Sequence, residues 1–377
     1  MPKLIKPDAE FVLRSVQAMD PKPVPLIALC LLVVACDANQ GPARDSGPNA
    51  NSILRKPFYL GMAYHLENWP AWTKESEYDR GLASLNELVD EFTAAGATVT
   101  LESGCNGQTA CGATTDCINF NGQEEFASWI AAGHAIGLHA DVCGKPNCKI
   151  PPPECADEEG MAEALVALRG KLEFRAGQIQ HVSGVCSTLD WTEAARGTGF
   201  SFVNGVVRYC LMSLDPTDPD YPNPPCPEPS ACHDAYPATF PDYLHPWRTP
   251  GPGRRGLDWT DAEEVPAILE GVGILPSRGT FKCLSELRDD LPTGPQCSKI
   301  FEDDRDALFA EIDRVISHRD GKEISHFDAL TVRIDVGYPN VIELRSLLAE
   351  IQKRYVAPGH LVWATYPEMF EAYDERP

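Results

Sequence analysis

Two short stretches of the chain run through apolar and small residues in strand-like order and then close on an imidazole and a carboxylate. One is Tyr59-Leu60-Gly61-Met62-Ala63-Tyr64-His65-Leu66-Glu67; the other is Gly133-His134-Ala135-Ile136-Gly137-Leu138-His139-Ala140-Asp141. An extended chain sends alternate side chains to the same face, so His65 and Glu67 share a face at one strand tip, and His139 and Asp141 share one at the other. Gly133 stops the helix before the second strand, since glycine takes a left-handed conformation at little cost.

Strands are predicted over 58–64, 97–101, 179–185, 200–207, 329–336 and 360–365, with a strand-like stretch at 265–275. Helical periodicity predicts helices over 79–95, 123–132, 157–176, 190–198, 304–318, 340–354 and 367–373. In the first of these Leu82, Leu85, Leu88, Val89 and Phe92 form one apolar face, and Asp190 is placed to cap the fourth. Strand and helix alternate, which implies an α/β fold whose parallel strands converge at their C-terminal ends. The two imidazole and acid couples are therefore expected to share one site. Glu102, at the tip of the second strand, either reaches that site or caps a backbone turn. Arg333 and Asp335 also share a face, and either pair with each other or flank the site. The plain alternative is that each histidine is a hydrogen-bonded structural residue and each acid a helix cap.

From Cys210 to Gly256 the periodicity gives way to a Pro-rich stretch, with Pro222, Pro224, Pro225, Pro227 and Pro229 close together. Because strand and helix resume beyond it, this is an insertion in one domain, 57–377. Within it His245, Trp247 and Arg248 combine an imidazole, an aromatic face and a planar cation. That trio suits sugars, which stack on Trp and hydrogen-bond through their hydroxyls; the alternative is that Trp247 anchors the loop.

At 377 residues the chain is long enough for one large barrel, and its 55 acidic against 32 basic residues argue against a phosphate-tracking nucleic-acid binder. No GxGxxG, P-loop or GxSxG pattern and no internal repeat occurs. Val24 to Cys36 fits the apolar core of an export signal, and Val33-Val34-Ala35-Cys36 resembles a bacterial lipobox whose cysteine is acylated. Residues 1–36 are thus read as leader and signal with Met19 as the start, 37–56 as a flexible tether, and the bacterial cell envelope as the location. Of fourteen cysteines, Cys30 and Cys36 belong to that leader. The even remainder in an exported chain favours disulfides stapling the loops, with a thiolate zinc site at Cys143 and Cys148 as the alternative.

The segment from Gly133 to Asp141 resembles the second motif of the polysaccharide deacetylase family, also called NodB-like or carbohydrate esterase family 4. Ser183 to Val207 is similar to the following motif, and Leu361 to Glu368 to the closing strand and helix, so the resemblance spans about Phe58 to Tyr373. It implies a distorted (β/α) TIM-like barrel that removes N- or O-acetyl groups from carbohydrate with a divalent metal. His139 matches the family's first metal-binding histidine. The second falls on Cys143, and His65 or Leu66 stands where the family carries an Asp pair.

Together these readings describe a lipid-anchored, monomeric carbohydrate hydrolase. Its metal, zinc or a similar ion, would be held by His65, Glu67, His139 and Asp141. Either Glu67 or Asp141 would serve as base, Asp335 or Arg333 would orient it or the substrate, and His245, Trp247, Arg248 and Arg333 would bind sugar. Two other readings stand beside it: a retired deacetylase-like barrel that binds carbohydrate, and a glycosidase using Glu67 and Asp141.

Overall fold

Phe58–His65 forms β1, a strand buried along nearly its whole length on both faces. Its even positions Phe58, Leu60, Met62 and Tyr64 pack into the large outer core under the helices. Its odd positions take the other side, where Ala63 and Tyr59 meet a smaller inner cluster. Burial on both faces is the signature of a parallel strand covered by helices. The computed structural model describes residues 58–66, 75–103, 122–140, 142, 155–206, 208–218, 221, 225, 246–248, 273–276, 280–281, 301–319, 329–334 and 341–375.

The chain continues as α1 (Glu75–Ala94), β2 (Thr100–Ser103), α2 (Gly122–Ala131), β3 (Ala135–His139), α3 (Glu158–Ala176), β4 (His181–Ser183), α4 (Trp191–Gly197) and β5 (Phe202–Val206). A 3-10 turn over Arg208–Ser213 precedes β6 (Trp247–Arg248), β7 (Gly273–Pro276), β8 (Thr280–Phe281), α5 (Phe301–Arg319) and β9 (Ala329–Ile334). The chain closes with α6 (Val341–Ile351), a π turn, β10 (Leu361–Trp363) and α7 (Tyr366–Asp374). The sheet runs β6-β7-β5-β4-β3-β2-β1-β9-β8, and β10 adds to the first half of β1. Every pairing is parallel except β6 with β7. Contact between β7 and β9 brings the two flanks of the sheet together, giving the distorted (β/α) barrel expected from the alternation.

The local chemistry of the helix ends is as the sequence implies. Gly96 and Gly133 adopt positive φ just past α1 and α2. Asp157 caps α3 by accepting from Gly160 N at 2.9 Å, and Asp190 caps α4 by accepting from Glu193 N at 3.2 Å. The Pro-rich insertion departs from expectation in one respect: it contributes β6, an antiparallel edge strand on β7. One expected staple, Cys186–Cys210, ties the segment after β4 to the turn after β5, and Cys155 is disulfide-bonded as well.

Helix α7 fills the inside of the sheet. Tyr366, Met369, Phe370 and Tyr373 join Ala63, Phe202 and Ala364 in the inner cluster. Phe370 stacks on Phe202 at 4.7 Å, and Tyr366 Oη donates to Val332 O on β9 at 3.3 Å. A capping box between Thr365 and Glu368 starts the helix, and Tyr366 N donates to Thr100 Oγ1 on β2 at 2.9 Å. Backbone approach matters at Gly61, where a Cβ would lie 2.9 Å from Tyr366 and Met369, and at Gly137, where it would lie 2.0 Å from His181 Nε2.

His134 is a structural histidine. Its Nδ1 accepts from Val99 N at 3.2 Å, so Nε2 carries the hydrogen and donates to Thr93 Oγ1 at 2.9 Å, stitching the α2 exit to β2 and α1. Burial holds its pKa below the ordinary 6.5. The unfolded chain therefore takes up this proton first, and the stability that neutral His134 contributes is complete above about pH 6.5 and drains away as the pH falls. Between pH 7 and 5 the urea midpoint should fall less steeply in His134→Gln than in the parent; parallel slopes would refute this. For Gly137→Ala we expect a loss of about 1–3 kcal/mol in urea unfolding, since the new methyl must push the His181 ring out of a packed interior; an unchanged midpoint would contradict it.

Candidate metal centre at the strand tips

The inner face carries its polar residues at the C-terminal ends of five neighbouring strands. Register places them: His65 on β1 pairs with Glu102 on β2, and His139 on β3 pairs with Ser183 on β4. Gly137 pairs with Glu102, so His139 stands one inward position further along than the carboxylate. On β5, Asn204 follows one place beyond the pair of Val182 with Val203. His181 lies one inward position below Ser183, stacked on Phe202 with ring centroids 5.0 Å apart.

Glu102 is the centre of this group and is completely buried. Its Oε2 lies 2.6 Å from His65 Nε2 and accepts from Ser183 Oγ at 2.7 Å. Its Oε1 accepts from Asn204 Nδ2 at 2.5 Å and faces His181 Nε2 at 3.4 Å. Burial alone would push the Glu102 pKa up, but the charge of His65 and the polar contacts of His181 and His65 outweigh it, holding the carboxyl well below its usual value. An ionised carboxylate here also acts on its neighbour below. Burial first, and the Glu102 charge second, push the Tyr366 phenol well above its ordinary range, so it stays neutral.

His139 completes the cluster. Its Nδ1 lies 2.7 Å from Ser183 Oγ, and its ring sits over that of His65 with centroids 4.2 Å apart. One donor atom each from His65, Glu102 and His139 fall within 4.8 Å of one another, all three residues buried. Two imidazoles and a carboxylate are nitrogen and oxygen donors suited to zinc and related divalent ions, so the donor set fits such a metal.

The expectations meet this geometry unevenly. His65 and His139, some seventy positions apart in sequence, do come together. Glu67, Asp141, Asp335, His245 and Cys36 lie outside the described residues. Arg333 pairs with Ala63, one inward position below His65, and its charge acts on Tyr366. Trp247 and Arg248 form β6. Arg248 is turned to the C-terminal helix, ion-paired with Asp374 and 5.2 Å over the Phe370 ring, so its visible task is to fasten β6 to α7. Glu102, left open between site and turn cap, is in the site.

His181, Ser183 and Asn204 carried no expectation, although a signal was present. In His181-Val182-Ser183 and Phe202-Val203-Asn204 the outward residue is apolar and the inward ones include polar groups, the same alternation that marks His65 and His139.

No protein-family model matches the chain, and no curated protein matches it. Among solved structures it is similar to PuuE allantoinase, at 12% identity over 88% of this chain and 94% of that one, with a TM-score of 0.49. A probable polysaccharide deacetylase from Pseudomonas aeruginosa PAO1 gives 11% identity over 84% and 90%, with a TM-score of 0.48. A 4-alpha-glucanotransferase from Thermococcus litoralis gives 10% over 84% of this chain and 40% of that one, with a TM-score of 0.45. The named activities differ among these three, and none is carried over to this chain by likeness at this level.

Proposed function

We propose that the protein is a metal-assisted hydrolase that removes acetyl groups from carbohydrate. The observation that carries this reading is the buried convergence of His65, Glu102 and His139 at the C-terminal rim of the barrel. His65 and His139 would hold the ion through ring nitrogens and Glu102 through a carboxylate oxygen. A bound divalent ion would polarise an acyl carbonyl and lower the pKa of a water toward neutrality.

The surrounding residues support that task by limiting motion. Ser183 and Asn204 grip the two oxygens of Glu102 from two further strands, so the carboxylate cannot swing away from the imidazoles. The general base would be Glu67 or Asp141, each two residues past one of the histidines in the sequence. Carbohydrate as the substrate rests on the motif resemblance around Gly133 to Asp141 and on the His245, Trp247 and Arg248 trio. Export and acylation at Cys36 belong to the same proposal, resting on the Val24 to Cys36 segment. Among the described residues no helix is long and apolar enough to cross a membrane.

A second reading follows from the 2.6 Å contact between His65 and Glu102: without any metal, the pair is an imidazole oriented by a carboxylate, as an acid-base dyad requires. Metal content separates the two. Protein stripped with chelator and reconstituted with zinc, cobalt or manganese should retain close to one ion per chain and release acetate from acetylated glycans. His139→Ala should lower both retention and turnover by roughly 100-fold or more, beyond what loss of an outer partner costs. A chain that retains no metal, and whose His139→Ala variant turns over normally, would end the metal reading; metal-independent turnover abolished by Glu102→Gln would favour the dyad.

A further inference from the structure

We propose that Ser183 is a positioning residue that locks His139 in the tautomer bearing its hydrogen on Nδ1, so that the lone pair on Nε2 is the one presented to the cluster. The metal consequence rests on the function proposed above; the tautomer itself does not.

The argument is an accounting of one hydrogen. Ser183 has a single O–H, and its oxygen stands 2.7 Å from Glu102 Oε2 and 2.7 Å from His139 Nδ1. Glu102 is the acceptor of its pair with Ser183: Ser183 Oγ donates to Oε2, which His65 Nε2 also meets, and Asn204 Nδ2 donates to Oε1. Ser183 must therefore give its hydrogen to Glu102. Only lone pairs are left toward His139, and a 2.7 Å contact with a lone pair requires hydrogen on Nδ1. A neutral imidazole with Nδ1–H has its lone pair on Nε2.

Register makes the lock stiff. Ser183 is paired directly with His139 across β3 and β4, is buried, and lies on a strand hydrogen-bonded on both sides. The distance from Glu102 through Ser183 to His139 is thus set by three strands, and no loop is involved. A carboxylate, a hydroxyl and an imidazole in series also raise the basicity of the far nitrogen, which favours ligation.

Histidine labelled with nitrogen-15 reports the tautomer in metal-free protein. In the parent, His139 should show a protonated Nδ1 and an imine-type Nε2; hydrogen found on Nε2 would overturn the assignment. Ser183→Ala should lose the preference and, in titrations with zinc or cobalt, bind about 10–100-fold more weakly. Ser183→Thr, which keeps the hydroxyl, should restore both. A Ser183→Ala protein with an unchanged His139 spectrum would also refute the proposal. Should the parent show the Nδ1–H form yet bind no zinc, cobalt or manganese, the metal-assisted function fails while the role of Ser183 stands.

Discussion

A carboxylate taken fully out of water costs several kcal/mol unless charges and hydrogen-bond donors replace its hydration. Glu102 is such a carboxylate, and its close polar partners are His65 on β1 at 2.6 Å, Ser183 on β4 at 2.7 Å and Asn204 on β5 at 2.5 Å, with His181 Nε2 standing 3.4 Å away. No one of these strands can shift by a residue without removing a partner from a buried anion, because a one-residue slip turns every side chain to the other face. The ionised oxygens thus act as a register pin for the strands that carry the candidate site, and the site and the barrel's C-terminal rim are one structure.

Below that polar layer the interior is apolar and supplied largely by the end of the chain. Met369, Phe370 and Tyr373 of α7 stand inside the sheet, where inward residues of the strands alone would leave a gap. Small residues at Gly61 and Ala63 admit the helix, and Gly137 admits the His181 ring beneath Glu102. The outer layer is independent of this arrangement: α1 and α2 pack on the even positions of β1 and the outward positions of β2 and β3, as ordinary amphipathic helices do. The outer face of the strands is thus given to packing, while the inner face carries the polar layer with the α7 cluster below it.

Much of this architecture was legible in the residues. The alternation of strand and helix, the apolar face of α1, the Asp190 cap and the Gly133 stop all express local preferences that act within a few residues. The same locality explains why His65 and His139 stood out, since each ends an apolar strand. Glu102 was ambiguous because β2 is short and its acid is followed by a Gly- and Cys-rich stretch that reads equally as a turn. Ser183 and Asn204 passed unnoticed because a lone serine or asparagine at a strand end is commonplace. Their importance lies in which carboxylate they face.

Strand parity, the two imidazoles and the apolar alternation of each strand are properties of the chain by itself, for they depend on the 3.3 Å advance and twofold alternation of an extended backbone. Which acid stands between those imidazoles was decided only by tertiary structure. Sequence offered Glu67 and Asp141 as neighbours along the strand, whereas sheet register delivered Glu102 from the strand between β1 and β3. The physical reason is that adjacent strands lie about 4.8 Å apart, closer than the spacing of i and i+2 along one strand, so the nearest partner of an inward side chain is across the ladder.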